Sequence, residues 1–172
     1  ISTIKYHNVY NIPRKFMDLQ KVDLNKSIKA DLIDKKLKNL RWITPQFPSD
    51  PKKEIKLIKE MIEVLKKDER KKMIITEYQF FSIILEENLN IPNRWYTHDN
   101  NSYPLENHKY FKFYEDHFKN VITKGNVEVV YIFGFITGNA KIKNFQIYMK
   151  DICFDEEEIN EIATSYKIKK CV

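Results

Sequence analysis

The run VEVVYIF, residues 127 to 133, constrains the fold of this chain more than any other segment. It strings β-branched and aromatic residues together and is stopped by Gly134, which is the composition of a strand. A second run, MIIT at 73 to 76, is short, apolar and β-branched, as suits a strand buried on both faces of a parallel sheet. The segment from Glu77 to Glu86 follows it as YQFFSIIL, apolar nearly all round, so a helix there must be deeply packed. A strand followed by a buried helix points to a doubly wound domain.

The remaining pattern fits that frame. Asp50 and Pro51 make a helix start, a capping carboxylate before a ring already set at helical φ. Ile55, Ile58, Met61, Ile62 and Leu65 then recur at helical spacing. The end of that helix, KKDERKK, puts cations where the helix dipole favours them, which accounts for the basic cluster better than nucleic-acid binding does. HKYFKFYEDHFKNVI carries a stripe of Tyr110, Tyr114, His117 and Val121 beside Phe111, Phe118 and Ile122, a second amphipathic helix closed by Gly125 and Asn126. LRWIT at 40 to 44 has strand composition and ends at Pro45.

Toward the C-terminus, Ile142, Phe145, Met149 and Ile152 fit a helix. Asp155 and Glu158 fit a capping box for one more turn. SYKIKKC reads as an edge strand with its lysines in solvent. Residues 1–38 read as an arm followed by a short helix in SIKADLIDKKLKNL, and residues 39–172 as one domain. The expected fold is a Rossmann-like α/β three-layer sandwich around a mostly parallel sheet of about four or five strands, with right-handed crossovers.

Composition narrows the function classes. The formal charge is +6, yet the positive residues are overwhelmingly lysine, with Arg only at 14, 41, 70 and 94. Readers of nucleic acid favour Arg forks, so no specific nucleic-acid partner is expected. There is no GxGxxG or P-loop, and three glycines leave little for a phosphate cradle, so no dinucleotide or other cofactor is expected. Cys153 and Cys171 have neither CxxC nor His neighbours at metal spacing, so no metal site is expected. On the residues alone, a disulfide and two unrelated reduced thiols are equally good readings. The apolar run YIFGFI falls well short of the ~20 residues a membrane helix needs.

In an open parallel sheet, ligands bind beyond the carboxyl ends of the strands. Thr44, Thr76 with Glu77, and Gly134 should leave strands at such a rim. The aromatic and charged stretch NRWYTHDNNSYPLENH, residues 93 to 108, should return over it. The candidate binding residues are therefore Thr76, Glu77, Arg94, Trp95, Tyr96, His98 and Asp99. Arg94 would pair a phosphate or carboxylate, and Trp95 and Tyr96 would stack on a sugar face or lipid headgroup. No catalytic set stands out: the G-x-S-x-G elbow is missing, and His98 and Asp99 are adjacent, so their side chains diverge in extended chain.

KLKNLRWITP, KKMIITEYQFFSIIL, NIPNRWYTHDNNSYPLENHKYF and VEVVYIFG, in this order, resemble the soluble C-terminal domain of a family of bacterial multi-pass membrane proteins similar to lipid-linked-sugar glycosyltransferases of the mannosyltransferase and aminoarabinose-transferase type. The resemblance runs from about Arg14 onward and rests on segments rather than on a catalytic motif. It implies that membrane helices precede Ile1 and that the acidic catalytic residue lies in that membrane portion. It also implies that this domain faces the periplasm on the bacterial inner membrane, where Cys153 and Cys171 would pair. Its partners would be the chain's own membrane domain and a lipid-linked sugar or glycan acceptor. The alternative function is a stand-alone Rossmann-like enzyme acting on a small sugar or nucleotide.

Overall fold

The computed structural model describes residues 22–44, 47, 49–93, 103–134 and 145–171. The chain forms two compact units, Ile1–Lys56 and Leu57–Val172, each with its own sheet.

In the first unit, β1 (Ile28–Lys29) pairs antiparallel with β2 (Arg41–Trp42), placing Ile28 opposite Trp42. Between them the chain makes two 3-10 turns, Ala30–Leu32 and Lys35–Leu37, where the sequence pattern predicted a helix. The cause is local competition for backbone donors. Asp34, with φ −154°, accepts the amide of Lys36 at its side chain, which opens a turn instead of extending a helical ladder. The indole of Trp42 and the hydroxyl of Thr44 both donate to the buried carboxylate of Glu54, at 2.9 to 3.0 Å.

Helix α1 (Pro51–Lys67) runs from this unit into the next. It starts as the sequence predicts, with Asp50 accepting the amide of Lys53 at 3.2 Å, and its stripe of Ile58, Met61, Ile62 and Leu65 is buried.

Among its described residues the second unit holds four strands in the order β3-β4-β6-β5. β3 (Lys72–Thr76) and β4 (Val129–Phe133) are parallel, with Ile74 opposite Tyr131, and every residue of both is buried. β6 (Ala163–Lys169) then lies antiparallel against β4, and β5 (Cys153–Asn160) antiparallel against β6. Among the described residues only the β3–β4 pair is parallel, so the Rossmann-like sandwich with a mostly parallel sheet is overturned.

The reversal comes from the C-terminal segment. CFDEEEIN is not a helix start but a strand, and SYKIKK belongs to an internal strand rather than an edge. A tight turn, in which Asn160 accepts the amide of Ile162 at its side chain, sends the chain straight back and leaves no room for a crossover. Asp155 stands opposite Lys167 and pairs with Lys169, so the acidic strand is matched by the basic one. The disulfide is present: Cys153 and Cys171 are bonded, their Cα atoms 5.2 Å apart, and clamp the open end of this hairpin.

The sheet has two differently covered faces. On one, Met73, Ile75, Val130, Ile132 and Tyr166 pack with Phe118 and Ile122 of α3 (Phe111–Lys124) and with Phe145, Tyr148 and Met149. The opposite face carries Ile74, Tyr131, Phe133 and Ser165 by strand alternation. Phe81 of α2 (Phe81–Leu85) meets Phe133 edge-on there at 5.3 Å. The outer edge of β3 is closed by the chain itself, since the amide of Ile74 donates to the carbonyl of Leu89.

Candidate functional site

The rim expected at the parallel strand ends forms in part. Thr76 and Phe133 are register partners, so Glu77 and Gly134 leave the sheet side by side. Gly134 has φ +117°, and a β-carbon there would lie 3.3 Å from the Glu77 carboxylate and 3.3 Å from the Tyr78 ring. A glycine is needed for both reasons.

Thr76 is fully buried, and its hydroxyl accepts the amide of Tyr78 at 3.0 Å, while Gln79 donates its side-chain amide to the Thr76 carbonyl. That hydroxyl shapes the turn out of the strand and faces no solvent. Thr44 leaves β2, which belongs to the other sheet, so the parallel strand ends are those of β3 and β4 alone among the described residues. Arg94, Trp95, Tyr96, His98 and Asp99 lie outside the described residues. His117, expected on a packed stripe, is exposed, with its Nε2 3.1 Å from the Pro92 carbonyl oxygen.

A different place gathers more polar groups. A cleft of about 530 Å³ opens on the sheet face of Tyr131, between the end of α1 and the β5–β6 hairpin. Lys67, Asp68 and Arg70 form one wall. Tyr131 and Ser165 form the floor, and Glu157 and Glu158 the opposite wall. Register explains the floor: Tyr131, Ser165 and Glu157 are consecutive cross-strand partners and share one face. Glu158 also borders the cleft, although its pairing with Thr164 places it on the alternate side of the strand.

The α1 wall is rigidly built. Arg70 clamps Asp68 through Nε at 2.8 Å and a terminal nitrogen at 2.9 Å, and its own amide donates to the same carboxylate at 3.0 Å. The Tyr131 hydroxyl donates to the other carboxylate oxygen at 2.6 Å. Burial opposes the charge on Asp68, but these hydrogen bonds outweigh it and hold its carboxyl at about 2. Burial first, and then the bond to Asp68, push the Tyr131 hydroxyl well above the usual phenol range, so it stays a donor. Behind this wall Lys72, almost wholly buried, bonds the carbonyl of Asp68 and pairs with Glu87 at 2.9 Å, tying the end of α1 to β3.

The other walls are less committed. The side chains of Lys67, Ser165, Glu157 and Glu158 make no hydrogen bond or ion pair among the described residues. Ser165 is nevertheless 94% buried, being only 6% exposed, so its hydroxyl can be satisfied only from the cleft. Sequence reasoning missed all of these residues as a site. The one available signal was Tyr131, a hydroxyl in the middle of an apolar strand.

No family model, no curated protein and no solved structure matches this chain. Among the described residues, no helix is long and apolar enough to cross a membrane, and no group of three or more His, Cys, Asp or Glu is placed to hold a metal.

Proposed function

We propose that this chain is an extracytoplasmic domain of a glycosyltransferase-like membrane protein, which recognises or orients a lipid-linked sugar or glycan acceptor while transfer itself occurs in a membrane-embedded part of the same polypeptide. The observation that carries this reading is the Cys153–Cys171 bridge. Disulfides of this kind persist in oxidising compartments and are rare in the bacterial cytosol. This one is placed to matter, because it closes the hairpin that forms the free edge of the sheet and one wall of the cleft. The segment similarity to soluble domains of such transferases supplies the transferase context.

Acid quenching of the native cells, followed by alkylation with a bulky maleimide before and after reduction, tests the compartment. Both thiols should be blocked until reductant is added, and protease added to spheroplasts should digest the domain. Free thiols in quenched cells, or a domain digested only in inverted vesicles, would overturn the reading.

A further inference from the structure

The cleft between the end of α1 and the β5–β6 hairpin carries both signs of charge, and one cation, Arg70, is already paired with Asp68 on its own wall. Lys67 and Arg70 stand on one wall and Glu157 and Glu158 on the other. Lys67 forms no ion pair with either glutamate. On the same strand Asp155 does have a cation, Lys169. Glu157, on the same face as Tyr131 and Ser165, is left without a cation, and an ammonium in the cleft would supply one. Across the gap, Arg70 is preset by its bidentate hold on Asp68 and keeps further guanidinium donors, and Lys67 is free to swing. Between the walls the hydroxyl of Ser165, a residue only 6% exposed, is open to the cleft and offers one donor and acceptor at the floor.

The geometry points to a binding site for a small zwitterion, with a primary ammonium held by Glu157, a carboxylate or phosphate held by Lys67 and Arg70, and Ser165 bonding the ligand between them. A volume of about 530 Å³ suits a ligand of that size better than a macromolecule. The inference concerns the cleft alone and does not depend on the compartment proposed above.

Amide spectra of the purified, oxidised chain titrated with γ-aminobutyrate and with O-phosphoethanolamine test it. Saturable shifts at Asp68, Tyr131 and Ser165 are expected with at least one of them, and which one saturates assigns the anion. Ethanolamine and methyl phosphate, each carrying half the charge pattern, should bind roughly tenfold more weakly or worse. Vesicles containing phosphatidylethanolamine, set against phosphatidylcholine alone, distinguish a lipid headgroup from a free ligand.

Glu157→Gln and Lys67→Met alter exposed side chains, so the dispersion of the spectrum should survive while the shifts are lost. Ser165→Ala should weaken binding severalfold with the same spectrum otherwise. The proposal fails if the half-ligands bind as tightly as the zwitterions, if a neutral methyl glycoside saturates the same amides, or if neither zwitterion moves them at about 50 mM.

Discussion

Removing the Cys153–Cys171 bridge should cost the chain about 3 kcal/mol, the loop-closure entropy returned to the unfolded state for a separation of 18 residues. β5 makes this loss visible locally as well as globally. Asp155 through Glu158 are exposed, so the middle of the strand is held by its ladder to β6 and by charge pairing, with little buried apolar area. The bridge fixes one end of the hairpin and the Asn160 turn fixes the other. With a urea dependence of roughly 2 kcal/mol per molar, Cys153→Ser with Cys171→Ser, or reduction of the native chain, should lower the unfolding midpoint by about 1.5 M. Native-state hydrogen exchange should show β5 amides losing protection first, while β3 and β4, buried along their whole length, lose only what the global change removes. An unchanged midpoint would show that the cross-link constrains nothing in the unfolded chain. A lowered midpoint with β5 still as protected as β4 would refute the local part of the reasoning.

Asp68 should give the domain a distinct acid response. Its folded pKa lies below its unfolded value, so its contribution is complete above about 4 and disappears as the pH falls toward 2; it is worth about 2 kcal/mol when complete. Tyr131→Phe removes one donor to that carboxylate and should cost about 1.5 kcal/mol at pH 7, with a smaller further loss on acidification than the native chain shows. Urea melts of both proteins at pH 7 and pH 3 check this, and equal acid losses would refute the coupling. Gly134→Ala places a β-carbon at φ +117° beside Glu77 and Tyr78 and should lower stability by roughly 2 kcal/mol, read as a drop in the same midpoint.

The parts of this fold legible in the sequence are those whose period reports burial directly. VVYIF and KMIIT are apolar on both sides because both sides are covered, and α1 announces itself by its cap and its stripe. The strand CFDEEEIN gives no such signal. It is an edge strand with its middle residues exposed, so neither alternation nor hydrophobicity marks it, and a run of four acids resembles a helix start. What stabilises it is a partner many residues away in sequence space only by a hairpin's reach: Lys167 and Lys169 on β6. Charge complementarity across a turn is a signal that single-segment reading does not weigh. Once that strand is missed, the direction of β6 goes with it, and a parallel sheet is the natural error.

The cleft was hidden for a related reason. Each of its parts has a sufficient local explanation: KKDERKK as the charged end of a helix, Asp155 and Glu158 as a capping box, Tyr131 as one more strand aromatic. Those explanations are partly correct, since Arg70 does clamp Asp68 and Lys72 does tie the helix end to β3. They become a site only through the register that sets Tyr131, Ser165 and Glu157 in a row, and through an antiparallel return that brings the acids of β5 across from the cations after α1. A doubly wound sheet would have sent the chain over the face by a helix and covered that row. The hairpin leaves it open, so the same topological feature that contradicts the expected fold creates the polar recess on which ligand binding would depend.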